Sequence, residues 1–385
     1  MHPLTPWAAR GADPAALVEA AAAALDGSGP ALAPLAAAGP APAPLAGSRP
    51  ELPGEVPDGV AAVVATSGST GRPRGVMLGA EALLASARAT HGRLGGPGRW
   101  LLALPIDHVA GLQVLVRSVV AGEVPAAAEP GDIWAIGAAA AADARYAALV
   151  PAQLHRVVAA AQHGRLPQAL APLTSLEAIL VGGAAASPGL LGAATDLGLT
   201  VVTTYGATET SGGCVYDGVP LDGTQVRLDD GVVLVAGTTL ATGYLDDGPG
   251  FETVAGQRWF RSSDLGRWAD GRLELLGRVD DVLVVGGLTV VPQAVEQVMS
   301  GLAWVGQVCV VGEPSERWGA SPVAVVVPSG IGLPDLAEAR VAVTAELGRA
   351  AAPRRLVLVD ALPMRGPGKV DRAAALGQAL AGTAD

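Results

Sequence analysis

Residues 66–75, Thr-Ser-Gly-Ser-Thr-Gly-Arg-Pro-Arg-Gly, are the stretch that decides the fold. They follow the apolar run of residues 61–65 and precede a helical stretch, so a strand, a tight loop and a helix are expected in succession. Glycines let such a loop turn its N–H groups inward and the hydroxyls add donors, which suits a polyphosphate. Composition alone is equally compatible with a Ser/Gly surface loop. No Gly-Lys-Ser/Thr follows at the Walker A spacing, so the GTPase and ATPase interpretation loses its main support.

Further short apolar runs lie at residues 100–104, 147–150, 178–181 and 199–202, bounded by Gly or Pro and separated by helical stretches. This alternation predicts an α/β fold with a largely parallel sheet and helices on its faces. Residues 14–25 predict a helix. The Ala/Pro-rich tract that follows, to about residue 50, predicts a loosely ordered connector, so we expect the ordered protein to begin near residue 58.

Beyond Thr210 the strands become closely spaced, and a hairpin is expected around Asp270-Gly271. A new unit follows, with a helix opening at Pro292, strands at 305–311 and 322–327, a helix over 336–349 and a strand at 356–359. We therefore predict three segments: an N-terminal helix and connector (1–57), a large α/β domain with a small β subdomain (58–279), and a smaller mobile α+β domain (280–385).

The chain has 385 residues, half of them apolar, and a formal charge of −11. This charge argues against a nucleic-acid or anionic-membrane surface, since both reward clustered Lys and Arg. No signal peptide and no run of 18 apolar residues is present, so we expect a cytoplasmic protein. Lys369 is the only lysine among 25 basic residues. A slim ammonium can enter a crowded site that the wide fork of arginine cannot.

The loop at 66–75 resembles the phosphate loop of the acyl-adenylating superfamily, with Arg74 where that family usually has lysine. Further stretches resemble its motifs in the same order: Tyr-Gly-Ala-Thr-Glu-Thr at 205–210, Ser-Asp-Leu-Gly at 263–266, Gly-Arg-Val-Asp-Asp at 277–281 and Gly-Lys at 368–369. The resemblance implies a large N-terminal adenylate-forming domain that binds ATP and the acid, and a mobile C-terminal domain that carries the catalytic lysine. It leaves a homodimer open. Because the loop begins early in the chain, part of the family's usual N-terminal subdomain is expected to be reduced.

The resemblance also implies roles for individual residues. The expected ATP-binding set is Thr66, Ser67, Gly68, Ser69, Thr70, Gly71, Arg74, Gly183, Tyr205, Gly206, Asp264 and Arg278. The expected catalytic residues are Lys369, His108, Thr208 and Glu209. Physically, the Tyr205 ring can stack on a purine, Asp264 can accept hydrogen bonds from ribose hydroxyls, and Glu209 with Thr208 can hold Mg²⁺. Arg278 is expected at the ribose, with an ion pair to Asp280 or Asp281 as the alternative.

Two half-reactions are implied. A substrate carboxylate attacks the α-phosphate of Mg-ATP, with Lys369 stabilising the negative charge, and the thiol of CoA then attacks the acyl-adenylate. Between the two steps the C-terminal domain is expected to rotate about Asp280.

The stretches at 104–112, 210–218 and 286–292 resemble the o-succinylbenzoate:CoA ligase family of menaquinone synthesis, in its actinobacterial form. The substrate implied is a small aromatic dicarboxylic acid, bound by His108, Arg117, Gly206, Ser211 and Gly212. Arg117 would hold the carboxylate that is not activated, although a structural ion pair remains an alternative. Two other functions stay open: a ligase for another aryl or acyl acid, which would make Arg117 dispensable, and a degenerate nucleotide-binding protein without turnover. No nucleic-acid or membrane partner is expected.

Overall fold

Two mixed sheets with helices between them, together with a five-stranded β-subdomain, form the larger N-terminal part of the molecule. The computed structural model describes residues 1–8, 13–35, 52–66, 74–162, 164–246, 248–364 and 370–381. A smaller α+β domain follows in the chain. The predicted fold class, α/β with a large and a small domain, is confirmed.

The strands of the larger part, in chain order, are β1 (His2–Ala8), β2 (Ala31–Leu35), β3 (Glu55–Val56), β4 (Val60–Thr66), β5 (Arg74–Gly79), β6 (Trp100–Leu102), β7 (Ala126–Ala127), β8 (Tyr146–Leu149), β9 (Ala178–Val181), β10 (Val201–Ala207), β11 (Gly212–Tyr216), β12 (Val219–Pro220), β13 (Thr224–Asp229), β14 (Val232–Gly237), β15 (Gly243–Tyr244), β16 (Phe251–Val254), β17 (Gln257–Ala269) and β18 (Arg272–Arg278). The helices are α1 (Pro14–Asp26), α2 (Ala80–Leu94), α3 (Val109–Ala121), α4 (Ile133–Ala140), α5 (Pro151–Ala159) and α6 (Pro188–Asp196). All five predicted apolar runs overlap strands, namely β4, β6, β8, β9 and β10, although the runs at 100–104, 147–150 and 199–202 extend beyond them.

The first sheet has the strand order β15-β5-β4-β2-β1-β3. β1 pairs in parallel with β2, which pairs in parallel with β4 at Leu32 and Ala62. Leu4, Ala31 and Ala33 are buried in this sheet. The expectation that ordered protein begins near residue 58 is therefore wrong. An Ala/Pro-rich strand has low intrinsic β-propensity, but packing against β4 overrides it. Residues 36–51 of the predicted connector lie outside the described residues.

The second sheet has the order β12-β11-β10-β9-β8-β6-β7, and its strands from β7 to β10 run parallel. Helix α3 lies between the two sheets. Its Leu112 and Val116 pack with the first sheet, while Val114 and Leu115 pack with the second. A helix between two sheets must be apolar on two sides, which explains the nearly continuous apolar sequence of α3. Helices α4, α5 and α6 cover the outer face of the second sheet.

Two local expectations have different outcomes. The hairpin is confirmed: β17 and β18 pair antiparallel, and Asp270 and Gly271 have φ angles of 48° and 74°. Positive φ at both positions belongs to the tight turn that fits strand twist. The helix expected directly after residues 66–75 is wrong in its position. Strand β5 comes first and pairs antiparallel with β4, and only then does α2 begin.

The C-terminal domain contains β19 (Leu283–Val285), β20 (Leu288–Val290), β21 (Val305–Ser315), β22 (Gly319–Pro328) and β23 (Arg355–Leu358), with α7 (Pro292–Met299), α8 (Leu336–Leu347) and α9 (Arg372–Ala381). These elements include both predicted helices and all three predicted strands. The core of the domain includes Val295, Met299, Val310, Val326 and Val343. None of the helices in the described part of the chain combines the length and hydropathy that a membrane span needs.

Candidate active site

Two of the predicted motifs lie where strands of the two sheets end, and the motifs at 263–266 and 277–281 lie in β17 and at the end of β18 of the β-subdomain. Thr66 ends β4 and Arg74 begins β5, so residues 67–73 connect two antiparallel neighbours. In the second sheet, β10 carries Tyr205 and Gly206 at its carboxyl end and continues into a 3₁₀ turn over Thr208–Thr210. Carboxyl ends of parallel strands are the usual place for a nucleotide in an α/β fold. Ser67, Gly68, Ser69, Thr70, Gly71 and Lys369 lie outside the described residues, and their roles stay predictions.

Glycines at this edge permit close backbone approach. A Cβ on Gly206 would lie 2.1 Å from the carbonyl oxygen of Gly212, so no larger residue fits between β10 and β11. Gly183 follows β9 with φ of 81°, and Gly212 has φ of 98°. Ser211 adopts φ of 54°, an uncommon conformation for a residue with a side chain. Its hydroxyl is buried without a hydrogen-bond partner in the described protein. The loop after β10 is thus held in a sparsely populated backbone conformation.

Asp264 lies between two predicted nucleotide contacts. The hydroxyl of Tyr205 donates to its Oδ2 at 2.9 Å, and Nη1 of Arg278 lies 3.3 Å from its Oδ1. Burial and the negative charge of Asp264 raise the pKa of Tyr205, so this phenol remains a donor at neutral pH. The structure therefore brings Tyr205, Asp264 and Arg278 together, and the carboxylate has both a neutral and a charged donor.

Two groups of ion pairs flank the short segment between the domains. Nη2 of Arg278 lies 3.3 Å from Oδ2 of Asp280, which confirms the alternative pairing considered for Arg278. On the C-terminal side, Nε of Arg372 donates to Asp281 at 3.0 Å, and its terminal nitrogens bind Glu296. Asp280 thus pairs back to the large domain, while Asp281 pairs with the small one.

Glu209 has a partner that sequence motifs did not indicate. The hydroxyl of Tyr244 donates to its Oε1 at 2.9 Å. The guanidinium of Arg74 lies over the Tyr244 ring, 3.4 Å from its centroid. Arg74 also donates to Asp246 at 2.6 Å and to the carbonyl oxygen of Pro249 at 2.8 Å. A Gly-Tyr pair in a short edge strand carries no signal that could have identified this contact from the sequence.

The residues present fit a magnesium ion that is shared with a nucleotide. No group of three or more His, Cys, Asp or Glu side chains in the described part of the chain is placed to enclose a metal. Mg²⁺ usually takes one or two carboxylates and completes its shell with water and substrate phosphates. One carboxylate, Glu209, and the neighbouring Thr208 hydroxyl supply the hard oxygen donors that such a site needs.

Two of the five residues predicted to bind the acid, His108 and Arg117, lie at the N-terminus of α3 and within it, at different depths. His108 is the exposed residue at its N-terminus. Arg117 lies nine residues further on, about 13 Å along the helix axis, and is only 3% exposed. Between them, Nε2 of Gln113 donates to the carbonyl oxygen of Ser211 at 2.8 Å. The structure thus brings Ser211 and Gln113 together but separates His108 from Arg117.

Arg117 is a buried cation with no carboxylate partner among the described residues. Its Nη2 lies 3.3 Å from the hydroxyl of Tyr216, its guanidinium lies 4.7 Å from the Trp100 ring centroid, and its Nε has no partner. The Tyr216 hydroxyl also bonds the hydroxyl of Thr90 at 2.9 Å. Burial lowers the pKa of Arg117, although a guanidinium stays charged in proteins. The structural ion pair considered from the sequence is therefore absent from the described part of the structure.

A two-sheet domain followed by a small α+β domain, with Tyr205 and Gly206 at the carboxyl end of β10 and Asp264 beside Tyr205, defines an adenylate-forming enzyme. Residues 10–245 match the family described as AMP-binding enzyme, and residues 294–369 match the AMP-binding enzyme C-terminal domain. The chain belongs to the AMP-binding enzyme family.

Similar proteins include a "Probable 2-succinylbenzoate--CoA ligase" of Mycobacterium tuberculosis, 46% identical over 347 residues, which are 86% of this chain and 87% of the relative. A 2-succinylbenzoate–CoA ligase of Listeria monocytogenes is 29% identical over 340 residues, 81% of this chain and 68% of the relative. Among solved structures, o-succinylbenzoate CoA synthetase of Bacillus subtilis with its acyl-adenylate intermediate has a TM-score of 0.71 and 25% identity, covering 83% and 69% of the two chains. An amide bond synthetase of Marinactinospora thermotolerans has a TM-score of 0.74 and 26% identity, covering 97% and 79%.

Proposed function

We propose that this chain is an ATP-dependent ligase that adenylates o-succinylbenzoate and transfers the acyl group to CoA, giving o-succinylbenzoyl-CoA, AMP and pyrophosphate in menaquinone biosynthesis. The observation that carries the proposal is the 46% identity, over 86% of the chain, to a relative with that named activity. The solved structures of similar enzymes include complexes with the acyl-adenylate and with ATP and magnesium.

Arg117 provides the physical reason for a substrate with two carboxylates. A buried charge without a partner destabilises a protein by several kcal/mol, so it persists where a ligand compensates it. An acid with one carboxylate to activate and a second to hold would bring that compensation, directly or through water. We propose that Arg117 acts on the second carboxylate and that His108, Ser211, Gly206 and Gly212 line the pocket near the reacting end.

In the first half-reaction, a carboxylate oxygen of the acid forms a bond to the α-phosphorus, and the bond to the β-phosphate oxygen breaks as pyrophosphate leaves. Tyr205, Asp264 and Arg278 orient the nucleoside, and Lys369 supplies a positive charge where negative charge accumulates. Thr208 and Glu209 would hold Mg²⁺, which when bound neutralises phosphate charge. This chain's own groups contribute binding, orientation and charge.

In the second half-reaction, the sulfur of CoA forms a bond to the acyl carbonyl carbon, the thiol proton is lost, and the acyl–phosphate bond breaks as AMP leaves. We propose that residues 280–385 rotate about Asp280 between the steps, so that Lys369 withdraws and the thiol gains access. The Arg278–Asp280 pair at 3.3 Å would be part of one of the two arrangements.

The test is pyrophosphate release with Mg-ATP, CoA and a panel of acids: o-succinylbenzoate, benzoate, a medium-chain fatty acid and an amino acid. We expect selective turnover of o-succinylbenzoate with the CoA thioester as product. Selective turnover of a different acid would keep the adenylation chemistry and reject the substrate. No acid-dependent release across the panel would favour the degenerate nucleotide-binding protein.

The chain is similar to an amide bond synthetase over 97% of its length, so the experiment includes a second acceptor besides CoA. Replacing CoA with a primary amine tests whether the adenylate is passed to nitrogen. We expect the thioester to form much faster than the amide. Faster amide formation would replace CoA ligation as the second step.

A further inference from the structure

Tyr244 connects the two sheets at the proposed metal-holding carboxylate. It lies on β15 at the edge of the first sheet, where it pairs with Val76 of β5. Glu209 lies in the turn after β10 of the second sheet, and its main-chain carbonyl accepts a hydrogen bond from Ala241 at 2.8 Å. The 2.9 Å bond from the tyrosine hydroxyl to Oε1 therefore fixes the Glu209 side chain relative to the sheet that carries the phosphate loop.

Tyr244 itself contacts two further side chains. The Arg74 guanidinium lies 3.4 Å from the ring centroid, and the Phe251 ring lies 5.5 Å away. A tyrosine hydroxyl keeps its proton at neutral pH, so it donates to Oε1 of Glu209. A cation over the ring face is attracted by the ring quadrupole and keeps the ring in place.

Arg74 suits this arrangement better than the lysine usual at this motif position. Its planar fork donates to the Asp246 carboxylate through Nε and Nη2 and to the Pro249 carbonyl through Nη1 while it stacks on Tyr244. The side chain is 20% exposed, so these bonds are partly shielded from water. A compact ammonium has no planar fork and cannot chelate the carboxylate and stack at the same time.

We propose that Tyr244, supported by Arg74, is a positioning residue that binds one oxygen of Glu209 and thereby reserves the other for the divalent cation of the nucleotide complex. The inference rests on the proposed role of Glu209 in holding that cation. Hydrogen-bonded partners of a metal-ligating carboxylate fix its orientation, and their removal usually weakens metal affinity by about 10- to 100-fold.

The experiment measures Mn²⁺ binding in the presence of ATP, without acid or CoA, by the loss of the free Mn²⁺ electron paramagnetic resonance signal. Tyr244→Phe keeps the ring and removes only the hydroxyl. We expect it to raise the Mn²⁺ concentration for half-saturation by about tenfold. Arg74→Lys is expected to raise the Mn²⁺ concentration for half-saturation by a smaller factor. For Tyr244→Phe, metal-free ATP binding, measured by calorimetry, should stay within about twofold of the unmodified chain, because the hydroxyl that is removed bonds Glu209 and not Tyr205, Asp264 or Arg278.

Tyr146→Phe is the matched control. It removes a tyrosine hydroxyl whose hydrogen bonds, within the described part of the chain, are to the main-chain carbonyls of Leu94 and Gly96, each at 3.0 Å. It should lower the thermal midpoint while leaving Mn²⁺ binding unchanged. If Tyr244→Phe and Tyr146→Phe bind Mn²⁺ alike, the positioning role is rejected. A Glu209→Gln variant distinguishes the positioning role of Tyr244 from the metal-holding role of Glu209. Unchanged Mn²⁺ binding in this variant would reject the proposed role of Glu209 itself.

Discussion

At the scale of the residue, the least expected group is the Arg117 guanidinium inside the larger domain. It shares its surroundings with His91, which is 3% exposed and accepts a hydrogen bond from Nε1 of Trp100 at 3.0 Å. Burial and the nearby Arg117 charge lower the pKa of His91 to about 4. Around this cation, the described side chains are neutral and partly unpaired, which is an environment suited to receive an anion.

The first prediction concerns Arg117→Met, which keeps most of the volume and removes the charge. We expect KM for o-succinylbenzoate to rise at least about tenfold with KM for ATP little changed, because a buried charge pair with the substrate is lost. The unliganded variant should be no less stable, because an unpaired buried charge is removed. Arg88→Met, at an exposed position on α2, should alter neither property.

A fall in thermal stability with an unchanged acid KM would contradict this proposal. That result would assign Arg117 to the fold through its contacts with Tyr216 and Trp100.

The second prediction concerns acid stability. Because the folded pKa of His91, about 4, lies below its ordinary value of 6.5, the unfolded state binds more protons between these values. The stabilising effect is therefore complete above pH 6.5 and is lost as pH falls toward 4, by about 2 kcal/mol at pH 5. His91→Gln, which keeps an acceptor for Trp100, should reduce the difference in unfolding free energy between pH 7.5 and pH 5 by about that amount. Urea unfolding measures it.

His155→Gln, at an exposed position on α5, is the control and should retain the pH dependence of the unmodified chain. An equal pH dependence in His91→Gln would mean that other groups are responsible.

At the scale of the element, α9 begins at Arg372, whose side chain binds Asp281 in the segment between the domains. Arg372 donates to Asp281 at 3.0 Å, to Glu296 of α7 and to the carbonyl oxygen of Val310 on β21 at 2.9 Å. Met364 and Val370, which flank the lysine-containing segment in the sequence, form an antiparallel bridge. The described ends of the lysine-containing segment are therefore fixed to the body of the small domain.

The third prediction compares two arginines of this domain. Arg372→Gln leaves two carboxylates, each about one-fifth exposed, without their main partner. We expect a loss of about 2–3 kcal/mol in unfolding free energy, less than for a fully buried pair. Arg355→Gln removes a single ion pair, with Glu313, and should lower the unfolding free energy by less than about 1 kcal/mol. Equal losses in urea unfolding would show that the Arg372 network adds nothing beyond one ordinary ion pair.

At the scale of the whole molecule, function is proposed to depend on two arrangements of one small domain. The connecting segment has an ion pair on each side, Arg278–Asp280 and Arg372–Asp281. A rotation about Asp280 would break the first and keep the second, because Asp281 is bound to the small domain. The domain boundary at residues 279–280 remains a prediction.

The fourth prediction concerns Lys369→Ala. Adenylate formation should fall at least about 100-fold, because a transition-state charge is no longer stabilised. Thiolysis of a supplied acyl-adenylate should stay within a fewfold of the unmodified chain, because the lysine is proposed to act only in the first step. Single-turnover measurements of each half-reaction test this separation. An equal loss in both would mean that Lys369 serves the fold or both steps.

The sequence by itself determined the family, the two-domain α/β architecture and the order of the nucleotide motifs, because these depend on local apolar periodicity and on short stretches whose backbone chemistry is specific. Tyr205, Asp264 and Arg278 could be grouped in this way, since each belongs to such a stretch. Only the tertiary structure placed β1 and β2 in the first sheet, buried Arg117 without a carboxylate partner, and brought Tyr244 and Arg74 to Glu209. The Tyr244–Glu209 and Arg74–Asp246 hydrogen bonds join residues 35 and 172 positions apart, and the free energy of such a contact depends on burial and mutual orientation, which local sequence does not encode.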